Sequence, residues 1–172
     1  MKKENLAVLL IDMQKKFVRN LREKEAERII PNQIHIIQLC KKENIPFFVL
    51  ELDKDDYGET ISELKEEISQ LEQGMVTFIQ KTSNSGFKNT DLEILLKNRE
   101  IKKIFFMGIN ADYCVHATAS DALKKGFEIV TSNDVISGQD HHSRNNSIDW
   151  YKNNGACLDS VVKLSNLSIS YV

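Results

Sequence analysis

Short apolar runs alternate with longer amphipathic stretches along the whole chain. Residues 6–11, Leu-Ala-Val-Leu-Leu-Ile, form an unbroken apolar run that stops at Asp12, the pattern of a strand buried on both faces. Residues 45–52 repeat it with Pro46 at the entry, and the shorter, more polar residues 75–80 read as an edge strand. Residues 104–107 end at Gly108, residues 127–131 follow Gly126, and residues 157–164 supply a sixth run.

Between these runs the period becomes helical. Ile34, Ile37 and Cys40 share one face behind Pro31, a residue suited to a first helical turn. Ile61, Leu64, Ile68 and Leu71 repeat the spacing, and Thr90 with Glu93 has capping-box spacing ahead of Leu95 and Leu96. Val115, Ala119 and Ala122 mark a helix that Gly126 can end, and residues 147–154 form another that stops at Gly155. Residues 17–29 are charged and less periodic, and read as a surface connection with some helix.

Repeated strand–helix alternation predicts an α/β fold: a three-layer α/β/α sandwich around a doubly wound, mainly parallel, six-stranded, Rossmann-like sheet. With strand order 3-2-1-4-5-6, strands 1 and 4 flank the switch point, and a crevice opens at their carboxyl ends. No internal repeat or break in composition divides the chain, so residues 1–172 read as a single domain.

Charge narrows the partners. With 23 Lys plus Arg against 25 Asp plus Glu the net charge is −2, and no polybasic run is present, so neither nucleic acid nor a membrane surface is expected. No early apolar run has the length of a membrane span. The 3 cysteines are odd in number and far apart, which points to free thiols in a reducing, cytoplasmic setting.

The crevice then collects the chemistry. Strand 1 delivers Asp12, strand 3 ends at Lys81, and strand 4 leads through Gly108-Ile-Asn-Ala-Asp-Tyr-Cys114-Val115 into a helix. A thiol in a first helical turn meets unpaired N–H groups and the positive end of the helix dipole, which favour thiolate. A neighbouring carboxylate can take its proton, and an ammonium can stabilise both, giving an activated nucleophile, a base and an electrostatic partner. On this reading Cys114 is alkylated faster than Cys40 or Cys157, which are ordinary buried hydrophobes. His116, two residues from Cys114, faces away and is structural. His141 and His142 sit in a polar loop beside Asp140, and Asp53, Asp55 and Asp56 form a solvated turn. Phe17 and Tyr113 are candidate substrate contacts, whereas Phe87 fits pocket and core equally well.

Asp12-Met-Gln-x-x-Phe17, Lys81-x-x-x-Ser85-x-Phe87-x-x-Thr90 and the run from Met107 through Cys114 to Ala122 together resemble the isochorismatase-like cysteine hydrolases over nearly the whole chain. The resemblance implies that Asp12, Lys81 and Cys114 form a catalytic triad. It implies cleavage of a C–N bond, in an amide or carbamoyl group of a small molecule, through a thioester. It also implies a cis peptide between Ile109 and Asn110, an oxyanion hole made by the backbone N–H groups of Asn110 and Cys114, and a homo-oligomer, a dimer or tetramer. Nicotinamidases of that family hold a metal through an Asp-x-His motif after strand 2 and a further His. This chain has Glu51-Leu-Asp53-Lys-Asp55-Asp56 there and no histidine nearby, so neither a metal nor another cofactor is expected. Three alternatives stand beside the amidohydrolase: a nicotinamidase with an atypical metal site, a Cys/His hydrolase using His141 or His142, and a non-catalytic binding protein on the same scaffold.

Overall fold

The computed structural model describes residues 5–138 and 140–161. Strand β1 (Leu6–Ile11) is buried along its full length, as its lack of any polar position requires. It is followed by helices α1 (Lys15–Arg19) and α2 (Glu23–Glu43), strand β2 (Phe47–Leu52), and helices α3 (Lys54–Tyr57) and α4 (Ser62–Ile68). Strand β3 (Val76–Lys81), helix α5 (Leu92–Asn98) and strand β4 (Lys103–Gly108) come next. A π-helical turn (Ala111–Val115) runs directly into α6 (His116–Lys124), ahead of β5 (Glu128–Ile136), α7 (His141–Asn154) and β6 (Ala156–Leu158). The sheet order is β3-β2-β1-β4-β5-β6 and every pairing is parallel, so the doubly wound fold follows and β3 is an edge. No helix among the described residues is long and apolar enough to cross a membrane.

Several boundaries differ from the sequence reading. Pro31 lies inside α2, and the segment before it is helix rather than a loose connection. The buried stripe of α2 is Glu25, Ile29, Gln33, Ile36, Ile37 and Cys40, a helical spacing hidden by two polar members. Pro31 itself is exposed, and in the same turn the Asn32 side chain donates to the Arg28 carbonyl at 2.7 Å.

Helix α7 begins at His141, because Asp140 caps it by accepting from the Ser143 amide at 2.8 Å. The two histidines therefore belong to its first turn and not to a loop. The Asp53 segment is the start of α3, where Asp53 accepts from the amides of Asp55 and Asp56. Thr90 makes no capping box. Its hydroxyl donates to the Gly86 carbonyl at 2.5 Å, while Glu93 pairs with Lys97 and Lys125. Of the sixth apolar run, residues 162–164 lie outside the described residues.

Gly108 closes β4 beside β1 with φ +131°, and a Cβ there would lie 2.1 Å from the Ile11 carbonyl oxygen. Backbone cannot yield as a side-chain tip can. Gly108→Ala is expected to cost about 1–2 kcal/mol from the left-handed backbone and more from the clash, read as a lower denaturant midpoint at unchanged m-value.

Candidate active site

At the carboxyl end of β1 the chain turns at Asp12, whose φ is +51°. Its amide donates to the Leu50 carbonyl at 2.9 Å, which fixes the turn against β2. The carboxylate is 1% exposed: one oxygen accepts from the Leu52 amide at 3.1 Å and the other from the Lys81 ammonium at 2.7 Å. The Leu52 amide is shared, because Gln14 also accepts from it at 2.8 Å. The Gln14 amide group then donates to the Leu52 and Gly58 carbonyls, both at 2.6 Å. Gln14 is thus a buried pin between the two loops that follow β1 and β2.

Lys81, the last residue of β3, is fully buried and also donates to the Ser83 carbonyl at 3.2 Å. Cys114 enters from the π-helical turn. Cys114 is 6% exposed, and its thiol lies near enough to Asp12 and Lys81 for the charges of both to act on it. The peptide between Ile109 and Asn110 is cis. The turn is closed by the Tyr113 and Val115 amides, both donating to the Asn110 carbonyl at 3.1 Å, and by Ala111 donating to the Ser137 carbonyl at 2.8 Å. Those bonds leave the Asn110 amide out. Thr118 braces the turn from α6: its hydroxyl donates to the Cys114 carbonyl at 2.6 Å and accepts from the Gly86 amide at 3.0 Å.

Electrostatics in this cluster differ from the simple dipole argument. Burial raises the Asp12 pKa above the ordinary aspartate value, and the charge of Lys81 is the main opposing effect. Burial pushes the Cys114 thiol up to about 12, and the Asp12 charge adds to the rise while Lys81 opposes it. Sulfur in the resting site therefore keeps its proton, and a standing thiolate is not favoured as the helix dipole alone predicts. Cys157 is half-buried with a thiol pushed up to about 11, and Cys40 is fully buried with its thiol pushed higher still. Faster alkylation of Cys114 thus does not follow from acidity alone.

The remaining residues fall around this centre. Phe17, half-buried, stacks on Tyr57 with ring centroids 4.5 Å apart, and Tyr113 is 52% exposed. Phe87 is buried against Phe127, a core role. His116 packs on Trp150 with ring centroids 4.3 Å apart. Asn84, absent from the sequence reading, is exposed and holds its side-chain oxygen 3.9 Å from the Cys114 sulfur. Only its place in the segment after Lys81 could have pointed to it.

The end of β2 and the segment after it do not fit the metal site of nicotinamidases. Glu51 is taken up by the Thr60 amide and hydroxyl at 2.7 and 2.8 Å and by Lys54 at 3.0 Å, while Asp53 caps α3. No imidazole accompanies them, and no group of three or more His, Cys, Asp or Glu able to hold a metal occurs among the described residues.

Comparison with known proteins gives a consistent result. The isochorismatase domain family matches residues 6–160. Nicotinamidase 3 of Arabidopsis thaliana is 28% identical over 146 residues, 75% of this chain and 71% of that protein. The isochorismatase family protein PncA of Bacillus subtilis is 41% identical over 61 residues, which are 36% of this chain and 33% of that protein. Among solved structures, the MAR1 ribonuclease of Caenorhabditis elegans has a TM-score of 0.81 at 26% identity, covering 93% of this chain and 79% of that one.

Proposed function

The chain belongs to the isochorismatase domain family of hydrolases, and from that premise we propose that it is a cysteine amidohydrolase using Asp12, Lys81 and Cys114, without a metal, on a small amide or carbamoyl substrate. The observation that carries the reading is the buried Lys81–Asp12 ion pair with the Cys114 thiol within reach of both charges, at the carboxyl ends of β1, β3 and β4. Cys114 attacks the substrate carbonyl carbon while its proton passes to Asp12. The amides of Asn110 and Cys114 receive the oxyanion. As the tetrahedral intermediate collapses, the C–N bond breaks and Asp12 returns the proton to the leaving nitrogen. Water then attacks the thioester, giving one proton to Asp12. The C–S bond breaks, the sulfur regains its proton, and the acid is released. One water is consumed for each C–N bond cleaved.

A thiol held near 12 suits this scheme, because the proton leaves only as the new C–S bond forms. Phe17 and Tyr113 are proposed substrate contacts, and the Asn84 amide adds a polar one. The nicotinamidase reading is disfavoured by the occupied carboxylates of Glu51 and Asp53. An RNA substrate, which the structural likeness to a ribonuclease brings to mind, is disfavoured by a net charge of −2 and the lack of any polybasic run to meet the phosphates.

The test is a panel of small amides, N-carbamoyl amines, nicotinamide and RNA, run with Cys114→Ala as control and with chelator present. Release of amine or ammonia by the native protein alone supports the proposal. Equal rates with the Ala variant, or loss of activity on chelation with recovery on adding zinc, would overturn it. The pH profile is a second check. Because burial raises the Asp12 pKa, the acid limb of kcat/KM is expected above the free aspartate value of about 3.9. A limb at or below that value would remove Asp12 as the base.

A further inference from the structure

We propose that Glu25, on α2, is a positioning residue for the nucleophile turn and acts through Ser137; this rests on the reading of Cys114 as nucleophile. Glu25 is 8% exposed, in a stripe where an apolar residue would pack with no desolvation cost. One of its carboxylate oxygens accepts from the Ser137 hydroxyl at 2.6 Å and from Arg28 at 2.6 Å, and Arg144 of α7 lies 3.8 Å from the other. Burial pushes this carboxyl up, yet the hydrogen bonds from Arg28 and Ser137 and the two guanidinium charges outweigh it, so the group stays ionised.

Ser137 is the link to the turn. Its carbonyl accepts from Ala111, the first residue of the π-helical turn, at 2.8 Å, and its amide donates to the Gly108 carbonyl at 3.3 Å. The carboxylate of α2 is therefore one residue away from both ends of the Gly108–Ala111 segment, which carries Asn110 and leads into Cys114. The same helix holds the strand leading into Ser137: Arg28 donates to the Asn133 and Ile136 carbonyls at 2.5 and 3.0 Å, and Gln33 to the Val135 carbonyl at 2.9 Å. On the other side the Ile109 amide is tied to the Ile11 carbonyl at 3.0 Å. The turn thus hangs between β1 and a strand end gripped by polar side chains of α2. A carboxylate fixes that distance and direction, which an apolar side chain at position 25 cannot do.

The experiment compares Glu25→Gln, Ser137→Ala and the double variant well below their melting temperatures. Turnover is expected to fall about tenfold in each single variant with KM changed less than about twofold, because small displacements of reacting groups are costly in rate. The double variant should be no worse than the poorer single one, since both act through one bond. Two readouts need no substrate: hydrogen exchange at the Ala111 amide should quicken, and the alkylation rate of Cys114 should change, in both single variants. If Glu25→Gln fails to fold, Ser137→Ala carries the test. Should the native protein hydrolyse no amide, the proposed activity fails, while exchange and alkylation still decide the role of Glu25. Unchanged exchange and alkylation, or single effects that multiply in the double variant, would overturn it.

Discussion

Replacing Asp12 by Asn is expected to lower turnover by about 10^4-fold, the upper range for a lost general base, while making Cys114 easier to alkylate. Burial is the main cause of the high thiol pKa, and the charge of Asp12 is the next. Removing that charge leaves Lys81 facing the sulfur, so the thiol pKa falls and more thiolate is present at neutral pH. Asn also tolerates the left-handed backbone of position 12 better than most residues, so the change falls mainly on the carboxylate. The measurement pairs steady-state turnover with iodoacetamide labelling of the Cys114 peptide, followed by mass spectrometry. Labelling that falls together with turnover would mean that Asp12 activates a resting thiolate, contrary to the scheme.

The second large effect concerns Lys81. Lys81→Met removes one partner of a fully buried ion pair and is expected to cost about 3–5 kcal/mol at neutral pH or above. The cost depends on pH in a defined sense. Without the ammonium, burial raises the Asp12 pKa further, and a carboxyl raised in the folded state is no burden while it holds its proton. The deficit should therefore be small below the unfolded value of about 4 and grow as pH rises through the elevated folded one. Melting temperatures of native and variant protein across pH 5 to 8 test this; the gap should widen with pH by a few degrees for each kcal/mol or so. A constant gap would mean that Asp12 stays ionised alone. Asp12→Asn with Lys81→Met should recover part of the stability and none of the turnover.

The central sheet is readable from the chain because strands buried on both faces leave continuous apolar runs ending at informative residues, Asp12 after β1 and Gly108 before the turn, while the edge strand β3 shows as a shorter, mixed run ending in Lys81. The structure brings Asp12, Lys81 and Cys114 together because parallel order places their strand ends side by side. The polar supports are not readable. Glu25 interrupts the apolar stripe ahead of Pro31 and so disguises the first half of a helix as a connection, although it occupies the helical spacing. Gln14, Asn84 and Ser137 are single polar residues whose partners lie far along the sequence. The acidity of Cys114 escapes the sequence for a related reason: the helix dipole is local and visible there, whereas burial is a property of the finished fold.

Lys81 lies on the outermost strand of the sheet, at the rim of the architecture rather than its centre. Such margins open before the interior does, because they are bonded to a neighbour on one side only. Fraying at that rim would withdraw the ammonium and wet the crevice. Loss of turnover on heating is therefore expected to precede cooperative melting, the first set by one border strand and the second by the whole sheet.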